Sequence, residues 1–339
     1  MPQHGLGPVL NMLVLLLLSF SGIVGAAPVV QVPDVSEPLQ NILQNTDRSQ
    51  LYRYPTDLTR AIIPKACHSH NDYWQDVPFW KALSYGSISI EGDVWYINGT
   101  LYVTSQLGHD TSALTPQRTL YSLYIEPILH VLRGANPAAP TAESLPTFRG
   151  VFDRDTEQTL YFVIDFKTAP DIGTLDAVLA ALEPLRSAGY LTTWHASNNS
   201  VVKGPITAVG TGKMDLKSVL GQTPTRDLFY DSPLFNLTFE ENKAITGPEV
   251  SPICSGHFSE AFGKVTKADF FAQNQTALKL LRDQLRVAHD RNIMVRYWDQ
   301  PGWPIGTRNS IWRTFVDEGV DLLNIDDPEG CASFWEGKG

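Results

Sequence analysis

The chain has 339 residues, a formal net charge of -10, 43% apolar residues and 18% charged residues. This is the composition of a folded chain with a sizeable core, not of a disordered one. The acidic balance excludes nucleic acid and anionic membranes as charge-driven partners. It leaves a phosphorylated small substrate open, because a bound metal can supply local positive charge.

The chain opens with "NMLVLLLLSFSGIVGA", an apolar run ending in small residues, and Val24-Gly25-Ala26 has the form of a signal-peptidase site. Residues 1–26 are therefore expected to be a signal peptide, with no stable membrane span after cleavage. The alternative is an uncleaved signal anchor that tethers the protein to a membrane, since the leader "MPQHGLGPVL" carries no Lys or Arg. Residues 27–58 are polar and proline-bearing and read as an N-terminal arm.

From 59 to 335, short apolar runs alternate with helix-length segments. Strands are predicted at 61–67, 87–93, 160–166, 205–211, 227–232, 249–256, 293–298 and 321–326. They are continuously apolar, as strands buried on both faces are. Between them, helical spacing runs over 77–86, 119–133 (where Pro127 should impose a kink), 172–189, 274–292 and 308–319. Eight strands alternating with helices predict a closed (β/α)₈ barrel. An open doubly wound sheet is the rival, weakened by the lack of G-x-G-x-x-G after the first strand. Residues 134–152 and 191–204 read as insertions.

Sequons at Asn98, Asn198, Asn236 and Asn274, together with the leader, point to glycosylation and to a secreted or secretory-pathway protein. Three cysteines, Cys67, Cys254 and Cys331, allow one disulfide with one thiol left over, or three buried apolar side chains.

In a barrel, reacting groups sit where strands end. "ACHSHNDYW" puts His68 and His70 after the first strand, and Glu91 and Asp93 end the second. His109 and Asp110 follow the turn "YINGTLYV". Asp165 and Lys167 end the third strand, Trp298 and Asp299 the seventh. Asp231 and Asp326 are strand-end carboxylates with no assigned role. Side chains two apart share a face of a strand, so Glu91 pairs with Asp93 and Asp165 with Lys167. Three carboxylates on one rim repel unless a cation sits among them, and oxygen ligands suit Mg²⁺ or Ca²⁺. His70 and His109 can serve as acid and base, and Lys167 can hold a phosphoryl oxygen. His68 reads as a packed or supporting histidine.

This order of residues resembles the phosphatidylinositol-phospholipase-C-like phosphodiesterase superfamily. It is similar to the glycerophosphodiester phosphodiesterases and to the sphingomyelinase D branch. "HSHNDYW", "SISIEGDVWYINGTLYV", "TLYSLYIEPIL", "GPITAVGTG" and "GVDLLNIDDPEG" together look like the fungal family named altered inheritance of mitochondria protein 6. The resemblance implies the barrel and a metal-dependent phosphoric diester hydrolase acting on a glycerophosphodiester or (lyso)phospholipid. It implies Glu91, Asp93 and Asp165 as metal ligands, His70, His109 and Lys167 as catalytic groups, and Trp298 as a pocket-lining aromatic. Two departures stand out. His70-Asn71-Asp72 replaces an H-R-G motif, so its phosphate-contacting Arg is missing, and "VTSQLGHD" moves His109 further from Asp93. Two other readings are a barrel glycoside hydrolase, which would leave His70, His109 and Lys167 idle, and a catalytically silent barrel acting as a binding module.

Overall fold

The computed structural model of the protein describes residues 58–104, 115–137 and 148–337. The leader and nearly all of the N-terminal arm lie outside the described residues, as does the loop carrying His109 and Asp110. Twelve strands follow in chain order: β1 (Lys65–Ser69), β2 (Ser87–Ile97), β3 (Thr100–Val103), β4 (Leu160–Phe166), β5 (Thr193–His195), β6 (Ser200–Val202), β7 (Ile206–Gly212), β8 (Thr225–Arg226), β9 (Leu228–Pro233), β10 (Ile253–His257), β11 (Met294–Trp298) and β12 (Leu322–Ile325).

Eight of them form the barrel, in the order β1-β12-β11-β10-β9-β7-β4-β2, and pairing of β1 with β2 closes it. All of these pairings are parallel. These are the eight strands expected from the sequence, with shifted ends. The first begins at Lys65 rather than 61, because the apolar "AII" precedes Pro64 and stays outside the strand. The second runs on to Ile97, because Asn98 and Gly99, both with positive φ, turn it into an antiparallel hairpin with β3.

The helical segments also differ in detail. The 119–133 pattern is not one kinked helix. Tyr121–Ile125 is wound as a wider π turn that runs directly into an α-helix, Glu126–Ala135, with Pro127 in its first turn. The 172–189 pattern breaks into Thr174–Ala181 and Glu183–Ser187, with Pro184 opening the second piece. The 191–204 insertion forms β5 and β6, which join β8 in a small antiparallel sheet. Cys67 of β1 is bonded to Cys331 of the helix Pro328–Trp335, and Cys254 is a buried free thiol.

Period-two alternation explains the barrel interior. Val163, Val209, Ile253 and Leu322 pack together as an apolar plug from four strands. Two residues further along those strands stand Asp165, Thr211, Ser255 and Asn324. One step toward the C-terminal ends therefore changes the interior from apolar to polar. Outside the strands, two larger apolar clusters bind the surrounding helices and seal the barrel from water.

Candidate active site

Above the plug the interior opens into a cleft of about 1420 Å³, lined by side chains from the C-terminal ends of the strands. Glu91, Asp93 and Asp165 meet there, each offering a carboxylate oxygen within 4.8 Å of the others. The register causes this: Asp93 of β2 lies directly beside Asp165 of β4. Like charges on neighbouring positions need a counter-charge. Lys167, two residues past Asp165, supplies it, with Nζ 2.6 Å from Asp165 Oδ2 and 3.0 Å from Asp93 Oδ2.

Two glycines make room for this arrangement. Gly92 lies between the two acids of β2, and a Cβ there would press on the ring of Tyr124. The Tyr124 hydroxyl donates to the Glu91 carbonyl, fixing the strand at 3.0 Å. Gly212 has φ +69, and a Cβ there would fall 1.9 Å from Asp165 Oδ1.

Beneath the acids lies a hydrogen-bonded layer. His68 is fully buried. Burial and the charge of Arg296 lower its pKa to about 4, so it is neutral. Its Nδ1 lies 2.7 Å from the Ser89 hydroxyl, and its Nε2 lies 2.7 Å from Glu91 Oε2 and 2.6 Å from Arg296 Nη1. His68 is thus the packed supporting histidine expected from the sequence. Arg296, from the middle of β11, donates to Glu91 at 3.0 Å, Asn324 at 3.1 Å, Ser255 at 2.9 Å and Asp231 at 3.2 Å. Burial works against the Glu91 charge, but His68, His70 and Arg296 hold its pKa well below the usual carboxylate range.

Asp93 and Asp165 differ from Glu91. Burial and the charge of Glu91 push Asp93 up to about 7 and raise Asp165 as well. One buried oxygen of each, Asp93 Oδ1 and Asp165 Oδ1, has no hydrogen-bond partner. Such orphans are costly, and a divalent cation would satisfy both. The other Asp93 oxygen accepts from the Tyr73 hydroxyl at 2.8 Å.

His70 stands at the rim of the cleft, its Nδ1 2.8 Å from Asp326 Oδ1. Burial alone would lower its pKa, but the hydrogen bond to Asp326 and the charge of Glu91 leave it raised. Asn71 after it adopts φ 48, a left-handed conformation that Asn tolerates better than most residues. Trp298 lines the cleft and stacks on His257 with ring centroids 4.1 Å apart.

The structure thus brings together Glu91, Asp93, Asp165, Lys167, His70 and Trp298. His109 lies outside the described residues. Asn98, Asn198, Asn236 and Asn274 are all exposed. Arg296, Tyr73 and the pairing of Asp326 with His70 escaped the sequence reading. Arg296 had a signal, a charge inside the apolar run "IMVRYW", which is the same reasoning that singles out Glu91.

The chain is a closed parallel barrel with an acid cluster and a lysine at its C-terminal rim, and a family-model match places it among phosphodiesterase-like α/β barrels. The model of the AIM6-like phosphodiesterase domain matches residues 56–231. An altered inheritance of mitochondria protein 6 homolog from Arthroderma benhamiae is 47% identical over 316 residues, covering 91% of this chain and 96% of the relative. Altered inheritance of mitochondria protein 6 from Eremothecium gossypii is 35% identical over 284 residues, 82% and 71% of the two chains. The Saccharomyces cerevisiae S288c protein of the same name is 29% identical over 282 residues, 79% and 70% of the two chains. The chain belongs to the altered inheritance of mitochondria protein 6 family. No solved structure matches it.

Proposed function

We propose that the protein is a metal-dependent phosphoric diester hydrolase acting on a glycerophosphodiester or (lyso)phospholipid. The observation that carries this reading is the trio Glu91, Asp93 and Asp165, each offering a carboxylate oxygen within 4.8 Å of the others beside a lysine, with one oxygen of Asp93 and one of Asp165 left without a hydrogen-bond partner. Glu91, Asp93 and Asp165 would hold one hard cation, Mg²⁺ or Ca²⁺. When bound, that ion would offset charge on the phosphate oxygens. A glycosidase needs its two carboxyl groups about 5–9 Å apart around a sugar ring, with no cation between them. Here a lysine bridges two of the acids.

The chain's own groups divide the rest of the work. Lys167 stays charged, because Asp165 and Asp93 outweigh the effect of its burial, and it faces the cleft to hold a phosphoryl oxygen. Asp326 accepts from His70 Nδ1–H, which leaves Nε2 to exchange a proton with the substrate. One histidine takes a proton from the attacking hydroxyl or water as its oxygen bonds to phosphorus. The other returns a proton to the leaving oxygen as the second P–O bond breaks. His70 and His109 fill these two roles. Arg296 sits in the cleft floor, already bound to Glu91 and Asp231.

The test is an assay of the purified protein against a panel of glycerophosphodiesters and lysophospholipids, read by phosphorus NMR. Cleavage is expected with Mg²⁺ and none with EDTA. Cleavage that survives EDTA would remove the metal, and no cleavage of any panel member in Mg²⁺ or Ca²⁺ would remove the reading. We also read residues 1–26 as a cleaved signal peptide of a secreted glycoprotein. Amino-terminal sequencing of protein from a eukaryotic host should begin near Ala27, whereas an intact leader in a membrane fraction would favour the anchor.

A further inference from the structure

The mouth of the cleft has two unlike sides. The side built by β2 and β4 carries the acids and Lys167. The other is built by three neighbouring strands, β1, β12 and β11. Trp74 follows β1, Trp298 ends β11, and Trp303 and Ile305 come from the segment after it. All four line the cleft. Trp303 is 75% exposed, Trp74 63%, Ile305 50% and Trp298 39%. The β1 and β12 segments are tied together here, since Gln75 donates to the Asp326 carbonyl at 3.2 Å. A group of large apolar side chains held out at the mouth of a polar site marks an interaction surface. Indoles favour places where one end is apolar and the other wet, as at the headgroup level of a bilayer.

The charges of this side select the kind of surface. The carboxylates of this side that line the cleft each have a partner: Asp326 with His70 at 2.8 Å, Asp299 with His257 at 2.8 Å, and Asp327 with Arg308 at 2.9 Å. Arg308 is therefore already occupied, and it also lies over the Trp312 ring. Among the described residues this side offers no free cationic patch to an anionic lipid, and the chain's net charge of -10 opposes one. Apolar contact with a neutral surface carries no such penalty.

We propose that the Trp74–Trp298–Trp303–Ile305 side of the rim docks the barrel, mouth down, on a zwitterionic lipid surface. A phospholipid substrate then enters from the lipid phase, with its phosphate meeting the acid cluster and its chains staying in the apolar layer. The substrate class rests on the phosphodiesterase reading above, while the docking itself does not.

The experiment is co-sedimentation of the full mature chain with phosphatidylcholine vesicles, at low and high salt. Wild type is expected to bind at millimolar lipid or below, with little dependence on salt. The double variant Trp74→Ser/Trp303→Ser should bind at least tenfold more weakly, with its melting temperature and Mg²⁺ affinity unchanged. Leu220→Ser, at an exposed leucine that does not line the cleft, should bind like wild type. The proposal is overturned if wild type ignores phosphatidylcholine at millimolar lipid, or if the double variant binds as well as wild type. It is also overturned by binding confined to phosphatidylserine vesicles and lost at high salt, or by self-association that the same two substitutions abolish. Vesicle binding without cleavage of any phosphodiester would keep the docking and remove the chemistry. Cleavage of a soluble short-chain phosphodiester without vesicle binding would do the reverse.

Discussion

Asp231 and Asp165 stand two strands apart on one barrel, both facing inward, and they are served very differently. Every oxygen of Asp231 is occupied: Oδ1 accepts from Ser255, and Oδ2 accepts from Thr211, Ser255 and Arg296. Asp165 has Lys167 on one oxygen and nothing on the other. A carboxylate whose lone pairs are all used by the chain is part of the scaffold. One left half-served, beside a second half-served acid, keeps an oxygen free for a further partner. Asp72 is a third kind. It accepts from the Phe79 N–H and from Ser69, and among the described residues no cation pairs with it.

This contrast can be broken most sharply at Arg296. Arg296→Met leaves Glu91 and Asp231 buried without their counter-charge. It should cost about 3–5 kcal/mol of stability in urea unfolding, the usual result of breaking a buried pair from one side. Adding Asp231→Asn should recover part of the loss. Wild-type stability in the single variant would deny Asp231 its structural role.

At Asp165 the expected effect lies in binding rather than folding. Asp165→Asn keeps the shape and removes the charge. Calorimetric titration should find Mg²⁺ bound about a thousandfold more weakly, roughly 4 kcal/mol. The unfolding midpoint should hold or rise, because a repulsive charge is gone. Unchanged Mg²⁺ affinity would take Asp165 out of the ligand set.

Asp72 predicts a pH dependence. Burial raises its pKa to about 6 in the folded chain, against about 3.9 for an unfolded aspartate. Below about pH 4 both states hold the proton and the group contributes nothing. As pH rises from about 4 to about 6, the unfolded chain ionises first, so stability falls by up to roughly 3 kcal/mol. Asp72→Asn should flatten that part of the stability profile, and an unchanged slope would assign it to other groups.

The smallest expected effect separates His68, in β1, from His70, just past its end. His70→Gln should lower turnover about a hundredfold, roughly 2.7 kcal/mol, with Mg²⁺ affinity and melting temperature kept. His68→Gln should act mainly on stability, since its ring bridges Ser89 and Glu91 out of solvent. The reverse pattern would exchange their roles.

The sequence by itself determined the eight barrel strands, because continuous apolar runs separated by helical spacing leave few other arrangements. It also determined that Glu91 with Asp93, and Asp165 with Lys167, share a face, because side chains in a strand repeat every two residues. It brought out the family motifs, which are long and lie at the strand ends. Only the tertiary structure decided that Asp93 sits beside Asp165, since register between strands is a long-range property. Only it paired Cys67 with Cys331 across 264 residues. Arg296 with Glu91 and His70 with Asp326 likewise join residues more than two hundred positions apart. A charge in an apolar strand announces that it needs a partner. Which partner it finds is set when the barrel closes β1 against both β2 and β12.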